Sequence, residues 1–429
     1  MKLWNNQKFN KKVDKFTVGK DRLYDLNIAK FDCHASIAHA SMLKKIGILN
    51  TSELKKINNV LNEIIKDIDN KEFNIGEEFE DVHSKIEFLL TEKLGDTGKK
   101  IHTSRSRNDQ VLAAIQLFIL DSLNDIKIDL KKLFNILITL AKNHKNKLMP
   151  GYSHLQIAMP SSFGLWFSSY AESLIDDLIF LNSAIEVVNQ NPLGSAAGFG
   201  STFPIDRIYT TKKLGFKFLK INSMACQISR GKIEKSTSMA LSLIASTISK
   251  LSMDICLYMG QDFDFISFPS DLLTGSSIMP HKQNPDIFEL IRAKSNLIQN
   301  IPNQISLLTT NLPSGYHRDF QLTKGPIIDG INDLKDCLEM FIYSIPQIKI
   351  KTKILDQKKY KYINSVEKIN HEVLKGKTFR ESYLSVSEEI KNNKYKKPKK
   401  IKYTHIGSIG NLSLDMIEKK FNYYYNLLK

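Results

Sequence analysis

From Asn108 to Met149 the chain holds neither glycine nor proline. Apolar residues persist along this run on changing faces, which predicts one helix of up to ~60 Å at about 1.5 Å per residue, longer than an ordinary domain is wide. Two further long runs, Phe163 to Gln190 and Lys232 to Met259, carry only Gly164 as a weak breaker. Rods of this kind are stable when packed as a bundle. Leu133, Phe134, Ile136, Leu137, Ile138 and Leu140 occupy more than one face, so they are expected to need cover from other subunits. Asn50 followed by Glu53 offers a capping box, after which Leu54, Ile57, Leu61, Ile64, Ile65 and Ile68 recur at helical spacing. Pro285 suits the first turn of another helix. The pattern predicts an all-α protein with a central bundle of long helices.

A chain of 429 residues that is 42% hydrophobic can bury sizeable cores, and its length predicts two or three domains. The polar, lysine-rich stretch from Met1 to Lys20 has no apolar run, and no segment gives eighteen uninterrupted apolar residues, so neither targeting nor membrane spanning is expected. Cys33, Cys226, Cys256 and Cys337 are scattered, without the paired spacing of metal sites or disulfide frameworks, and a reducing, cytoplasmic setting is the expectation. Lys and Arg number 61 against 45 Asp and Glu, a net charge of +16. That excess is mostly lysine spread along the chain. Its one concentration, Lys391 to Tyr403, reads as a solvated surface segment rather than a nucleic-acid site, because Tyr395 and Tyr403 within it belong to no recognisable module.

Three loops could carry chemistry. In Gly98 to Val111, Arg105 and Arg107 place forked guanidinium groups near Ser104, Ser106, Asn108 and Gln110, a donor set that suits carboxylates. The same segment also reads as a helix start with Asn108 or Asp109 as its cap, and both readings can hold because a helix N-terminus attracts anions. In Pro150 to Gln156, His154 beside Ser153 follows a glycine break and can move protons near neutrality, although a lone histidine is more often structural. Thr274 to Pro285 combines Ser276 and Ser277 with Lys282 and Asn284. A cation and backbone dipoles in a dry loop can favour a serine alkoxide there, while a turn with a capping serine is the plainer reading.

Together and in order, these loops resemble the three signature regions of the aspartase/fumarase superfamily, and SRSRNDQ (Ser104 to Gln110) is similar to the string of its argininosuccinate lyase branch. DVHS at Asp81 to Ser84, PLGSAAG at Pro192 to Gly198, GSSIMPHKQNPD from Gly275, and the spacing of Tyr316, Gln321 and Lys324 extend the likeness over nearly the whole chain. The resemblance implies a three-domain helical fold: an N-terminal helical domain at 1–107, a central long-helix bundle at 108–345 for oligomerisation, and a small C-terminal helical domain at 346–429. It implies a cofactor-free β-elimination of argininosuccinate to arginine and fumarate through an aci-carboxylate, without metal, in a homotetramer whose active sites are shared between subunits. In that scheme Ser276 is the general base, Lys282 and Asn284 stabilise the dianion, and His154, held by Glu289, is the other acid/base residue. An alternative assignment makes His154 the base. Asn108, Ser153, Tyr316, Gln321 and Lys324 are implied to bind substrate, with His83 and Arg107 lining the cavity.

The chain departs from the branch pattern at four positions. His281 and Gln283 replace the usual Gln and Lys, so that MPHK is reminiscent of adenylosuccinate lyases. Asp21 stands where many relatives have a substrate-contacting Ser, and Met253 where they have the Glu of an acidic pair. An adenylosuccinate-type elimination and a non-catalytic, crystallin-like structural role are the competing readings. The second is opposed by the retention of Ser276, Lys282, Asn284, His154 and Glu289.

Overall fold

Asn50 opens its helix as the spacing predicts: its side chain accepts from the Glu53 N–H and the Glu53 carboxylate accepts from the Asn50 N–H, both at 2.9 Å. The computed structural model describes residues 10–427, so the first nine residues of the polar N-terminal stretch lie outside the described residues. The elements that position the site are α1 (Lys11–Val18), α2 (Asp21–Lys45), α3 (Thr51–Asp69), α4 (Val82–Leu94) and α5 (Arg107–His144), then β1 (Leu148–Ser153) and β2 (Gln156–Ser162). They continue with α6 (Phe163–Val188), α7 (Lys232–Met259), β3 (Thr274–Gly275), β4 (Gln283–Asn284), α8 (Asp286–Ile298), α9 (Lys324–Ser344) and α10 (Leu414–Asn426). Among the described residues, strand structure beyond the β1–β2 hairpin is confined to pairs of two-residue strands. The fold is all-α.

The long rods form with two adjustments. α5 ends at His144 rather than at Met149; Pro150 accounts for the extended backbone at Met149, the residue before it. The chain instead turns through Lys145–Lys147 and enters the antiparallel hairpin, with Leu148 opposite Ser162 and Pro150 opposite Pro160. Pro285 falls just outside α8, which starts at Asp286.

The described chain divides into two compact units, each built from three separated stretches: up to Lys127, Phe180–Leu243 and Leu297–Lys335 in unit 1, and Ile128–Ile179, Ile244–Asn296 and Asp336 onward in unit 2. In unit 1, α3 buries one stripe, Ile57, Val60, Leu61 and Ile64, while α2 is buried along most of its length. Phe31 of α2 meets Phe118 of α5 edge to face, with centroids 5.8 Å apart.

In unit 2, Leu133, Phe134, Leu137, Ile138 and Leu140 are buried within the chain itself, and Phe421 of α10 stacks on Phe134 at 3.8 Å. Five of the six expected residues are thus covered within the chain, Phe134 by Phe421 of the C-terminal helix, while Ile136 stays half-buried. Apolar residues exposed on other parts of the rods include Phe180 of α6, Met239 and Met253 of α7, and Leu290 and Leu297 of α8. The segment Ser223–Met259, which contains α7, is long and apolar enough by length and composition to cross a membrane. Asp254 near its end is nevertheless fixed inside unit 2, accepting from Trp166 Nε1 (2.9 Å) and the Tyr170 hydroxyl (2.7 Å). Asp254 thus has structural partners of its own, and the neighbouring Met253 brings its sulfur 3.0 Å from Arg292 Nη1.

Candidate active site

The start of α5 is set by a reciprocal cap. Ser106 Oγ accepts from the Asn108 N–H at 3.2 Å and Asp109 Oδ1 accepts from the Ser106 N–H at 3.0 Å. The cap is thus Ser106, not Asn108 or Asp109. Asp109 does more than close the turn: its other oxygen accepts from the N–H groups of Gly194 and Ala196, both at 2.9 Å. This carboxylate clamps the Pro192–Gly198 loop onto the helix start. Burial pushes its pKa up to about 6, against the three N–H donors and Arg105, which favour the charged form.

Around this helix start, unit 1 gathers six of the sequence-derived residues, His83, Arg107, Asn108, Tyr316, Gln321 and Lys324, on a narrow cavity of about 60 Å³. Arg107 is held by Glu87 (2.8 Å) and by Gln110 Oε1 (2.9 Å). Its neighbour Arg105 is buried away from this cavity's lining and donates to Ser36 Oγ at 2.8 Å. His83 is fully buried, with Nδ1 3.1 Å from Asp32 in an ion pair, while its Nε2 has no hydrogen-bond partner. Burial alone would lower the His83 pKa, but Asp32, Asp81 and Asp25 outweigh it and raise the value. A buried polar atom left unsatisfied at a cavity wall is costly unless a ligand or water meets it.

Lys324 makes no free cation. Its Nζ lies 2.9 Å from Asp21 and 2.6 Å from Asp25, all three groups being buried, and Asp25 also accepts the Val82 N–H at the start of α4. Gln321 spends its amide donors on the carbonyls of Thr17 (2.9 Å) and Val18 (3.2 Å) at the end of α1.

The remaining residues belong to unit 2. Ser153 closes β1, and the two-residue turn that follows it is His154–Leu155, with φ of 52° and 58°. Successive left-handed residues form the hairpin turn that Asn-Gly usually supplies. A histidine and a leucine there carry strain, which tends to be kept where the side chain has a task. His154 is exposed and Leu155 is 79% exposed. Within this chain His154 and Glu289, on the first turn of α8, form no ion pair with each other.

Ser276 follows the β3–β4 ladder, in which Thr274 pairs with Asn284 and Gly275 with Gln283. Its Oγ accepts from the Met279 N–H at 3.1 Å and more weakly from the Ile278 N–H at 3.4 Å. The capping-serine reading and the catalytic one therefore describe the same atoms. Two donors on one hydroxyl oxygen stabilise negative charge on it. The ladder also brings Asn284 to Thr274, whose hydroxyl is bonded to Asp286.

Sequence reading missed Arg230, Glu80 and Arg318 on the unit 1 cavity. Arg318 pairs with Glu80 at 2.7 Å. Arg230 carried no local signal, since the rings that flank it, Tyr316 and Phe320, lie far along the chain. The Ser106–Asp109 cap was readable as a capping box from its spacing.

With this geometry in hand, comparison with known proteins is decisive. A family model described as "Lyase" matches residues 7–299. The argininosuccinate lyase of Phocaeicola vulgatus is 49% identical over 418 residues, covering 97% of this chain and 94% of that protein. The chain belongs to the argininosuccinate lyase family. The Thermotoga neapolitana member of this family is 37% identical over 394 residues, which is 92% of this chain and 99% of the relative. The fold agrees with solved lyases: EDDS lyase in complex with formate superposes with a TM-score of 0.74 at 21% identity, covering 96% of this chain and 85% of that one. A fumarate lyase:delta crystallin from Brucella melitensis gives 0.72 at 16% identity, covering 93% and 91%. As a member of the argininosuccinate lyase family the chain is a lyase, and the fold of its solved neighbours is the all-α bundle expected from its long rods.

Proposed function

We propose that this chain splits argininosuccinate into arginine and fumarate by a cofactor-free anti β-elimination, the last step of arginine biosynthesis. The observation that carries the mechanism is Ser276 Oγ, which receives two backbone N–H groups in a loop that also holds Lys282 and Asn284. These donors favour the alkoxide that a serine base requires. The alkoxide takes the proton from the succinyl carbon next to the carboxylate, and the C–H electrons move onto that carboxylate as an aci-carboxylate dianion. Lys282 and Asn284 stabilise it. The electrons then return to form the fumarate double bond as the C–N bond breaks, and His154 protonates the departing guanidino nitrogen. The unit 1 cavity, with Arg107, Asn108 and Tyr316, holds and orients the substrate, and Ser153 joins it from β1. The alternative, in which His154 removes the carbon proton, is distinguished below.

A homotetramer with shared sites is part of this reading. Two features support it: the exposed apolar residues on α6, α7 and α8, and the exposed histidine on a strained turn. Glu289 would then hold the His154 ring of a neighbouring copy. Among the described residues none of the four cysteines forms a disulfide, which supports a cytoplasmic setting. In the lysine-rich segment Tyr395 is buried against Tyr362 at 5.5 Å, which withdraws it from stacking on bases.

A substrate panel tests the assignment. Purified protein is given argininosuccinate, adenylosuccinate, malate or aspartate, and fumarate is followed by ultraviolet absorbance. Fumarate from argininosuccinate alone is the expected result. Fumarate from adenylosuccinate instead would move the chain to the reading suggested by His281, and none from any substrate would leave the structural-protein reading.

A further inference from the structure

The lysine-rich segment near the C-terminus is pinned at both ends. Tyr395 fixes its start: the ring is buried in a cluster with Ile369 and Val386 and meets Tyr362 edge to face at 5.5 Å. Tyr403 fixes its end, its hydroxyl donating to the buried carboxylate of Glu367. Beyond Tyr403 the chain folds back on itself, the Gly407 N–H donating to the Asn411 carbonyl at 2.8 Å and the Asn411 amide to the Thr404 carbonyl at 3.1 Å. Gly410 lies so close to the Tyr403 backbone that a Cβ there would stand 2.0 Å from the Tyr403 carbonyl oxygen. The stretch between the two tyrosines is thereby held as a wall of a cavity.

That cavity measures about 620 Å³ and lies wholly within unit 2. Small-molecule sites span about 300–1,000 Å³, so the size is that of a ligand pocket. Lys397, Lys399 and Lys402 of the pinned segment line it together with Lys145, the first residue past α5. No acidic residue belongs to the lining, and among the described residues none of these four ammonium groups is paired with a carboxylate. Like charges gathered on one concave surface repel one another, and a bound anion relieves that repulsion. Leu148, Pro160, Leu355 and Ile401 supply apolar surface in the same cavity. The carboxyl end of α5, beside Lys145, opposes an anion, an effect confined to the last turn of the helix. The negative charge therefore belongs at Lys397, Lys399 and Lys402, and an apolar body against Leu148 and Pro160 of the hairpin.

We propose that this cavity binds a small organic phosphate, an anion of several charges attached to an apolar or aromatic body. Lysine ammonium groups hold phosphate as point charges, and four of them on one cavity suit a polyphosphate better than a single carboxylate. The concave wall and the inward packing of Tyr395 favour a small molecule over a strand of nucleic acid. None of the residues assigned to argininosuccinate lines this cavity, so the inference is independent of that reading.

The test is calorimetric titration of the full chain, without divalent cations, by ATP, tripolyphosphate and adenosine. ATP is expected to bind about ten-fold or more tightly than either of the others, because only ATP offers both the charge and the apolar body. Two double variants of equal charge then locate the site. Lys399→Ala with Lys402→Ala takes two ammonium groups from the cavity and should weaken ATP binding about ten-fold or more. Lys396→Ala with Lys400→Ala takes two lysines of the same segment that do not line it, and should stay within about two-fold of wild type. All four lysines are exposed, so neither variant disturbs a packed core. The proposal is overturned if the two double variants weaken ATP binding equally or not at all, which would mean diffuse attraction by net charge. It is overturned also if tripolyphosphate binds as tightly as ATP, or if wild type does not bind ATP. A single-stranded oligonucleotide that binds wild type more tightly than ATP, and loses affinity alike in both double variants, would make the segment a nucleic-acid surface and overturn the proposal too.

Discussion

Ser276→Ala is expected to lower kcat for fumarate release by about 10³-fold or more, the range in which a positioned base and the charge stabilisation around it act together. Binding should survive, because the cavity that holds the substrate belongs to unit 1 and the Ser276 loop does not line it. Stability should change little, since Ser276 sits in an exposed loop whose ladder is made by Thr274, Gly275, Gln283 and Asn284. The paired measurement is His154→Ala under the same conditions. If serine is the base, His154→Ala retains part of the rate, because water can protonate a basic guanidino leaving group. Should His154→Ala prove as inactive as Ser276→Ala is predicted to be, while Ser276→Ala keeps most of its kcat, the histidine is the base and the alkoxide account fails.

The second large effect is on stability. Lys324→Met removes the ammonium that pairs with both Asp21 and Asp25 and leaves two buried carboxylates near one another, a change that costs about 3–5 kcal/mol when a buried pair is broken on one side. The pH dependence gives the effect a signature. Asp21 has a folded pKa raised above its ordinary 3.8 to about 6, so ionising it weakens the fold as pH rises across that window, and the share of stability lost there is regained below it. Without the lysine the penalty for ionisation grows. The deficit of Lys324→Met should therefore be greatest near pH 8 and narrow towards pH 5, as read by urea unfolding at both values. An equal deficit at the two pH values would mean that lost packing of the lysine stem, not unpaired charge, is responsible.

The bundle was legible because its signal is local and long. The absence of proline across α5, α6 and α7, with Gly164 their one glycine, needs no knowledge of neighbours, and the Lys232–Met259 helix matches its expected ends. What sequence could not show depends on residues far apart in the chain. Helical periodicity placed Leu133 to Leu140 on too many faces for one neighbour, but nothing local announced that Phe421, almost three hundred residues on, would cover Phe134. The hairpin that presents His154 was overlooked because Pro150 and Gly151 read as a break, and the alternation from Tyr152 onward is too short to outweigh it. Motif resemblance supplied the names of Lys324 and Gln321 without their environments. In this chain the first is neutralised by two carboxylates and the second is tied to the end of α1, and both facts follow from pairings across about three hundred positions.

The central claim is that one chain carries two complementary half-sites, a binding cavity in unit 1 and a base loop in unit 2, that act together on argininosuccinate across copies. Co-expression of Ser276→Ala with Asn108→Ala tests it most directly, since each variant spoils a different half and a mixed assembly can bring two intact halves together. Fumarate release from argininosuccinate well above that of either variant expressed alone is the predicted result. A co-expressed preparation as inactive as its parts, beside an active wild type made the same way, would contradict the account.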